Sequence, residues 1–290
     1  QHLFTQAWAI GRVLAAFVLF CLISGCVYLI NDLADIETDR QHPRKRLRPL
    51  ASGRLSPALA TGAAAVISIA ALLTPVMLGL LAPAVAESGS LWQRLLASRA
   101  AGWYAFGAIL LSYFVLQIGY TFRLKHVVIV DLFAIAGRFV LRAVGGAAVL
   151  QVTITPWWLM CVLLLALFLG LGKRRNELLV LESGAASHRR ILEEYSPHFL
   201  EHLITIDVAC TIIAYSLATF TAPSVPLKPY PLLMSTIPFV IYALFRYMYL
   251  IFQRGEGGTP EDLLFKDRPL QVAIACWGLL VVGVMALFGS

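Results

Sequence analysis

The stretch GRVLAAFVLFCLISGCVYLINDLADIETDR, residues 11–40, decides the architecture of this chain. Between Gly11 and Ile30 only Arg12, near the start, is charged. An α-helix rises about 1.5 Å per residue, so about 20 apolar residues cross the hydrocarbon core of a bilayer. The spacing therefore predicts a membrane-spanning helix over 11–33. Directly behind it stand Asp32, Asp35, Glu37 and Asp39. A helix built for lipid thus ends in a row of carboxylates.

The rest of the chain repeats the first half of that pattern. Seven further apolar runs are long enough to span, at 57–83, 100–120, 127–150, 156–172, 200–221, 231–252 and 269–289. The composition agrees. Hydrophobic residues make up 59% of the chain, charged residues 13%, and the mean hydropathy is +0.79. A soluble domain carries about a quarter charged residues. The fold class is an all-α polytopic membrane protein. No long polar linker divides it, so residues 1–290 read as one domain. The cysteines Cys21, Cys26, Cys161, Cys210 and Cys276 all lie in apolar segments without CxxC pairs and read as small buried side chains.

Basic residues set the orientation. The loops 34–56, 121–126, 173–199 and 253–268 alternate with the others and hold sixteen of the 23 Lys and Arg residues. The positive-inside rule makes that side cytosolic. The net charge of +7 is accounted for by these loops and by anionic ligands, not by nucleic acid. An even number of spans puts both ends of the sequence on the outer face. Residues 84–99 read as a short interfacial helix anchored by Trp92.

Asn31, Asp35 and Asp39 are spaced i, i+4, i+8 and share one helix face, with Asp32 beside it. A carboxylate facing lipid is costly, so this face lines a polar cavity. Several hard oxygen donors in line suit Mg²⁺, which keeps some waters and bridges to phosphates. The other reading is a solvated helix end with ordinary charges. Next comes HPRKRLRPLASG, residues 42–53, in which Pro43 and Pro49 stop the helix. Arg44, Lys45, Arg46 and Arg48 either set topology or neutralise phosphate oxygens.

Span 127–150 carries Asp131, Arg138 and Arg142. Each intramembrane charge costs about 2.5–3.5 kcal/mol on insertion scales, so they point inward and pair. Arg142 lies deepest and reads as structural. Gly145 and Gly146 read as sites of close helix packing. Tyr120, Arg123 and Lys125 precede the span; the two cations are candidate phosphate ligands and Tyr120 is either a ligand or an interfacial anchor. His42, His126 and His188 show no metal spacing.

NDLADIETD matches the first motif, NDxxDxxxD, of the UbiA superfamily of membrane prenyltransferases, and the chain resembles that superfamily. Within it, the decaprenyl-phosphate phosphoribosyltransferase branch is most similar. The stretches that carry this likeness are residues 28–53, DLFAIAGRFVLRAVGG (131–146), GKRRNELLVLE (172–182), EEYSP (193–197) and RGEGGTPEDLLFKDRPL (254–270). The resemblance implies a UbiA-type bundle of nine helices, of which eight are visible here and an N-terminal one lies upstream. It implies a cytosolic-facing cavity in a bacterial cytoplasmic membrane and a Mg²⁺-bound diphosphate. A lipid tail would lie between helices, and a homo-oligomer is compatible with it.

Superfamily prenyltransferases carry a second acidic motif, DxxxD, where this chain reads Gly172-Lys173-Arg174-Arg175-Asn176-Glu177. One metal-binding wall and one cationic wall suit phosphoribosyl pyrophosphate and a polyprenyl phosphate, which together bring more phosphate than a prenyl diphosphate and a neutral ring. The resemblance thus implies Mg²⁺-dependent transfer of 5-phosphoribose to a polyprenyl (decaprenyl) phosphate for cell-wall arabinan-type precursors. Asn31, Asp35 and Asp39 would be the metal-holding catalytic set. Asp32, Lys45, Arg46, Tyr120, Arg123, Lys125, Asp131, Arg138, Lys173, Arg174 and Glu177 would be the substrate contacts. The rival is prenyl transfer from a diphosphate to an aromatic acceptor.

Overall fold

A computed structural model describes residues 6–41, 45–82, 99–182, 194–221, 231–255 and 260–288. Among them the chain forms helices and no strand. The helices are α1 (Ala7–Ala34), α2 (Ile36–Gln41), α3 (Pro57–Leu81), α4 (Arg99–Phe122), α5 (Val130–Leu150), α6 (Pro156–Glu182), α7 (Pro197–Phe220), α8 (Ile237–Gln253), α9 (Pro260–Lys266) and α10 (Arg268–Phe288). Short 3₁₀ turns lie at Lys45–Leu47, Leu124–His126 and Leu232–Thr236.

Eight helical segments are long and apolar enough to cross a membrane, and they fall on the eight runs read from the sequence. Large apolar side chains face outward along them, among them Phe17, Leu81 and Leu287. That is how a bundle bathed in lipid presents itself.

One boundary is corrected. The sequence reading ended the fifth span at 172 and placed Lys173–Glu177 in a loop; α6 in fact continues to Glu182. Lys, Arg, Glu and Leu are good helix formers, so the helix carries on where its apolar character stops. The interfacial segment with Trp92, the residues His42–Arg44, His188–Arg190 and the glycine-rich 256–259 lie outside the described residues.

The chain sorts into two compact units. The N-terminal unit comprises His2–Lys125 and Leu141–Thr153; the C-terminal unit comprises His126–Val140 and Ile154–Ser290. Helix α5 contributes its first half to the latter and its second half to the former.

In the N-terminal unit α1, α3 and α4 pack on one another. Ser56 caps α3, accepting from the Leu59 amide at 3.3 Å, with Pro57 in the first turn where a missing N–H costs nothing. Phe20 sits edge-on to Phe106 and Tyr113, with ring centroids 5.4 and 5.3 Å away. Gly145 admits this ring: a Cβ there would stand 2.9 Å from two Phe20 ring carbons. Gly146 differs, since a Cβ there would meet nothing within 4 Å. Only the first of the two glycines serves the close packing read from the sequence.

In the C-terminal unit α6 packs on α7, and α8 on α10. Phe168, Leu171, Leu200, Ile204 and Leu250 form its core. Ser196 caps α7, accepting from the Phe199 amide at 3.1 Å. Asp267 caps α10, accepting from the Leu270 amide at 2.9 Å while gripped by Arg246 at 3.1 and 2.8 Å. This arginine and the capping amide hold the Asp267 carboxyl below its ordinary range.

Candidate functional site

The acidic motif lies in the N-terminal unit, at the end of α1. The helix breaks at Asp35, whose φ and ψ are −103° and 10°. The backbone ladder nevertheless runs through: the Asp35 amide donates to the Asn31 carbonyl at 3.0 Å, and the Asp39 amide to the Asp35 carbonyl at 2.8 Å. The three residues therefore keep one-turn spacing across the break, as their i, i+4, i+8 register requires. The Asn31 side-chain amide donates to Asp35 at 3.2 Å.

The loop behind the motif folds its cations back onto it. Arg48 donates from one nitrogen to Asp32 at 2.7 Å and to Asp39 at 2.8 Å. Lys45 Nζ stands 3.8 Å from Asp39, and Lys125 Nζ, on the turn after α4, stands 3.6 Å from Asp35. Asp39 is buried beneath this cover, whereas Asp32 and Asp35 are partly open to solvent. Arg46 and Arg123 are exposed on the same two turns, and Tyr120 is half-buried at the end of α4.

The site thus gathers Asn31, Asp32, Asp35, Asp39, Lys45 and Lys125. Arg48 was one of the basic run in the sequence but was not singled out; its partners lie 16 and 9 residues back, across the proline-bounded loop, and no local spacing marks them. Among the described residues no three His, Cys, Asp or Glu side chains converge into a ready metal cage. The oxygen donors lie in a row instead. Hard oxygen donors so arranged fit a cation such as Mg²⁺, which takes one or two carboxylates and completes its shell with water and phosphate.

A second charged group lies in the C-terminal unit. Asp131 is fully enclosed. Arg174 Nε donates to it at 2.9 Å, and the Tyr195 hydroxyl donates to it at 3.0 Å. The same hydroxyl accepts from the Ile129 amide at 2.6 Å. Ile129 has φ of 67°, a left-handed conformation that a β-branched side chain adopts only under restraint. Burial pushes the Tyr195 hydroxyl up to about 12, so it stays a phenol and a donor.

This arrangement answers what the sequence left open for the α5 charges. Asp131 pairs with Arg174, which lies 43 residues on in the chain. Arg174 also holds Glu177, which remains partly exposed. Arg175 is engaged with Glu201 at 2.7 Å and with the Ile251 carbonyl at 3.0 Å. Lys173 is exposed, and Arg138 is half-buried on α5. The KRR run is therefore two locked arginines and one outward lysine. Tyr195 was missed; it stood in the EEYSP stretch, with nothing in its neighbours to pair it with Asp131.

Comparison with known proteins places these groups in context. The pattern of the UbiA prenyltransferase family matches residues 4–266. Decaprenyl-phosphate phosphoribosyltransferase of Corynebacterium glutamicum is 31% identical over 271 residues, covering 93% of this chain and 74% of that protein. The protein of the same name from Mycobacterium tuberculosis is 30% identical over 280 residues, covering 97% and 83%. Among solved structures, a UbiA homolog from Archaeoglobus fulgidus bound to GPP and Mg²⁺ superposes with a TM-score of 0.65 at 16% identity, covering 97% of this chain and 89% of that one.

Proposed function

The chain belongs to the UbiA prenyltransferase family and is a membrane-bound transferase, and from that premise we propose that it transfers 5-phosphoribose from phosphoribosyl pyrophosphate to a polyprenyl phosphate, releasing pyrophosphate. The observation that carries the reading is the acidic face from Asn31 to Asp39 with Arg48, Lys45 and Lys125 laid against it. Such a site alternates oxygen donors and cations, as a metal-bound diphosphate does. The relatives named for phosphoribosyl transfer add the substrate class. The stretch Lys173–Glu177 supports this choice over a prenyl diphosphate in another way: the family holds that group between two acidic motifs, and here the second is replaced by residues whose arginines are engaged with Asp131 and Glu201.

Asn31, Asp35 and Asp39 would hold Mg²⁺, with Asp32 in support. When bound, the metal neutralises charge on the departing pyrophosphate. Lys45 and Lys125 bind phosphate oxygens, and Arg48 keeps Asp32 and Asp39 in place. An oxygen of the lipid phosphate forms a bond to the anomeric carbon as the bond to pyrophosphate breaks, and pyrophosphate leaves with the electron pair. The attacking phosphate is already ionised, so no side chain must take a proton.

The site faces the cytosol of a bacterial cytoplasmic membrane in this reading, and a reporter fused behind Ser290 is then found outside. The transfer itself is tested with labelled phosphoribosyl pyrophosphate and polyprenyl phosphate in proteoliposomes. Label appearing in lipid supports the proposal. Pyrophosphate released only when a prenyl diphosphate and an aromatic acceptor are supplied overturns it in favour of prenyl transfer.

A further inference from the structure

The first two turns of α7 read His198-Phe199-Leu200-Glu201-His202. Histidines four apart stand one above the other on one helix face. In the spacing H-x-x-E-H such a pair holds zinc, with the glutamate as a base. The proposed transfer makes no use of this stretch, which lies in the C-terminal unit, away in the sequence from the acidic row of α1.

The structure brings the two rings together. Their centroids are 4.4 Å apart with 24° between the planes, and His198 Nδ1 lies 2.9 Å from His202 Nδ1. His202 Nδ1 also lies 2.8 Å from the His198 carbonyl oxygen. A neutral imidazole has one N–H and one lone pair, so one proton is all that the gap between the two Nδ1 atoms can hold. A zinc–imidazole bond is about 2.0–2.1 Å long, so one ion reaches both nitrogens across their 2.9 Å separation. Both side chains are exposed, and the Ser196 cap and Pro197 fix the turn that carries them. The pair is open to an ion from solution and is presented on rigid backbone. Glu201 is engaged by Arg175 at 2.7 Å. The metal-holding half of the spacing is thus in place, while its base is committed to an ion pair.

We infer that His198 and His202 form a two-histidine site for Zn²⁺. Among the described residues no third His, Cys, Asp or Glu converges on it, so water completes the shell. Imidazole nitrogen suits Zn²⁺, whereas Mg²⁺ takes oxygen donors. The two ends of the chemistry are therefore separate: the acidic row of α1 suits the hard cation and the α7 pair suits the borderline one. Bound zinc ties the first turn of α7 to the second and stabilises the folded chain, as any ligand of the native state does. The site stands whether or not the chain transfers phosphoribose.

The test is a calorimetric titration of the untagged full chain in detergent with Zn²⁺ alone, repeated in excess Mg²⁺. Wild type binds the zinc ion, and Mg²⁺ does not displace it. His198→Gln and His202→Gln each weaken binding by about 100-fold, the advantage lost when two linked ligands become one. His126→Gln, on another turn, binds as wild type does. Zinc also raises the unfolding temperature of wild type and leaves that of the two α7 variants unmoved. Should one α7 variant fail to fold, the other carries the test, since either substitution leaves a single ligand. Zinc binding that survives both substitutions overturns the inference. So does binding that Mg²⁺ displaces, which would put the ion on oxygen donors, and so does an equal loss in His126→Gln.

Discussion

Two clusters of opposite charge look alike in the sequence and differ in the structure. At the end of α1, Asp32, Asp35 and Asp39 meet Arg48, Lys45 and Lys125, and both signs reach water at every member but the buried Asp39; the Arg48 side chain is 39% exposed. On α5 and α6, Asp131 and Arg174 are 0% and 2% exposed and are closed in by Tyr195. The first cluster can exchange its partners for a ligand at small cost. The second cannot, because parting a buried pair strands a charge without solvent. Charges that can trade partners and charges that hold the fold are thus told apart by solvent access.

The largest expected effect comes from breaking the closed cluster. Arg174→Met leaves Asp131 buried and unpaired and destabilises the protein by about 3–5 kcal/mol, read as thermal unfolding in detergent. Lys125→Met, at the open cluster, leaves its partner Asp35 in reach of water and shifts the same transition by at most about 1 kcal/mol. Equal shifts would erase the distinction between the two clusters.

The open cluster is sharpened by activity. Asp35→Asn and Asp39→Asn each lower turnover by about 10²–10³-fold, the scale for losing one preorganised electrostatic group, with the helical signal and the unfolding temperature near wild type. Near-normal transfer by both variants would remove the motif from the chemistry.

The spans were legible because burial in lipid demands long apolar runs, and eight such runs cannot hide. The row from Asn31 to Asp39 was legible because its members are one turn apart. What the sequence could not carry was the long-range pairing. Asp131 was seen as needing a partner, yet Arg174 stands on the next helix, in a stretch read as a loop because its hydropathy falls. Arg48 read only as one of a run that either set topology or met phosphate; the folded loop brings it to Asp32 and Asp39.

Tyr195→Phe probes the closed cluster more gently. It takes a hydrogen bond from Asp131 and leaves the Ile129 amide without its acceptor at a left-handed residue, costing about 1–3 kcal/mol. The folded hydroxyl is raised from its ordinary value near 10 to about 12. Its contribution is therefore fully present below pH 10 and lost as pH rises through 12. Unfolding followed from pH 6 to 9 should show a constant gap between the variant and wild type. A gap that closes within that range would mean the hydroxyl titrates and is not enclosed as described.

The smallest effects separate filled from open space at adjacent positions on one helix. At Gly145 a methyl group would press on the Phe20 ring at 2.9 Å, and that ring is already held edge-on by Phe106 and Tyr113. Gly145→Ala therefore costs about 1–3 kcal/mol through overpacking. At Gly146 the methyl group enters open space, and replacing glycine inside a helix gains about 0.5–1 kcal/mol. Gly146→Ala should unfold slightly later than wild type and Gly145→Ala earlier. Were both to unfold early, the space beside Gly146 would be filled by protein, and the contrast between the two adjacent glycines would fall.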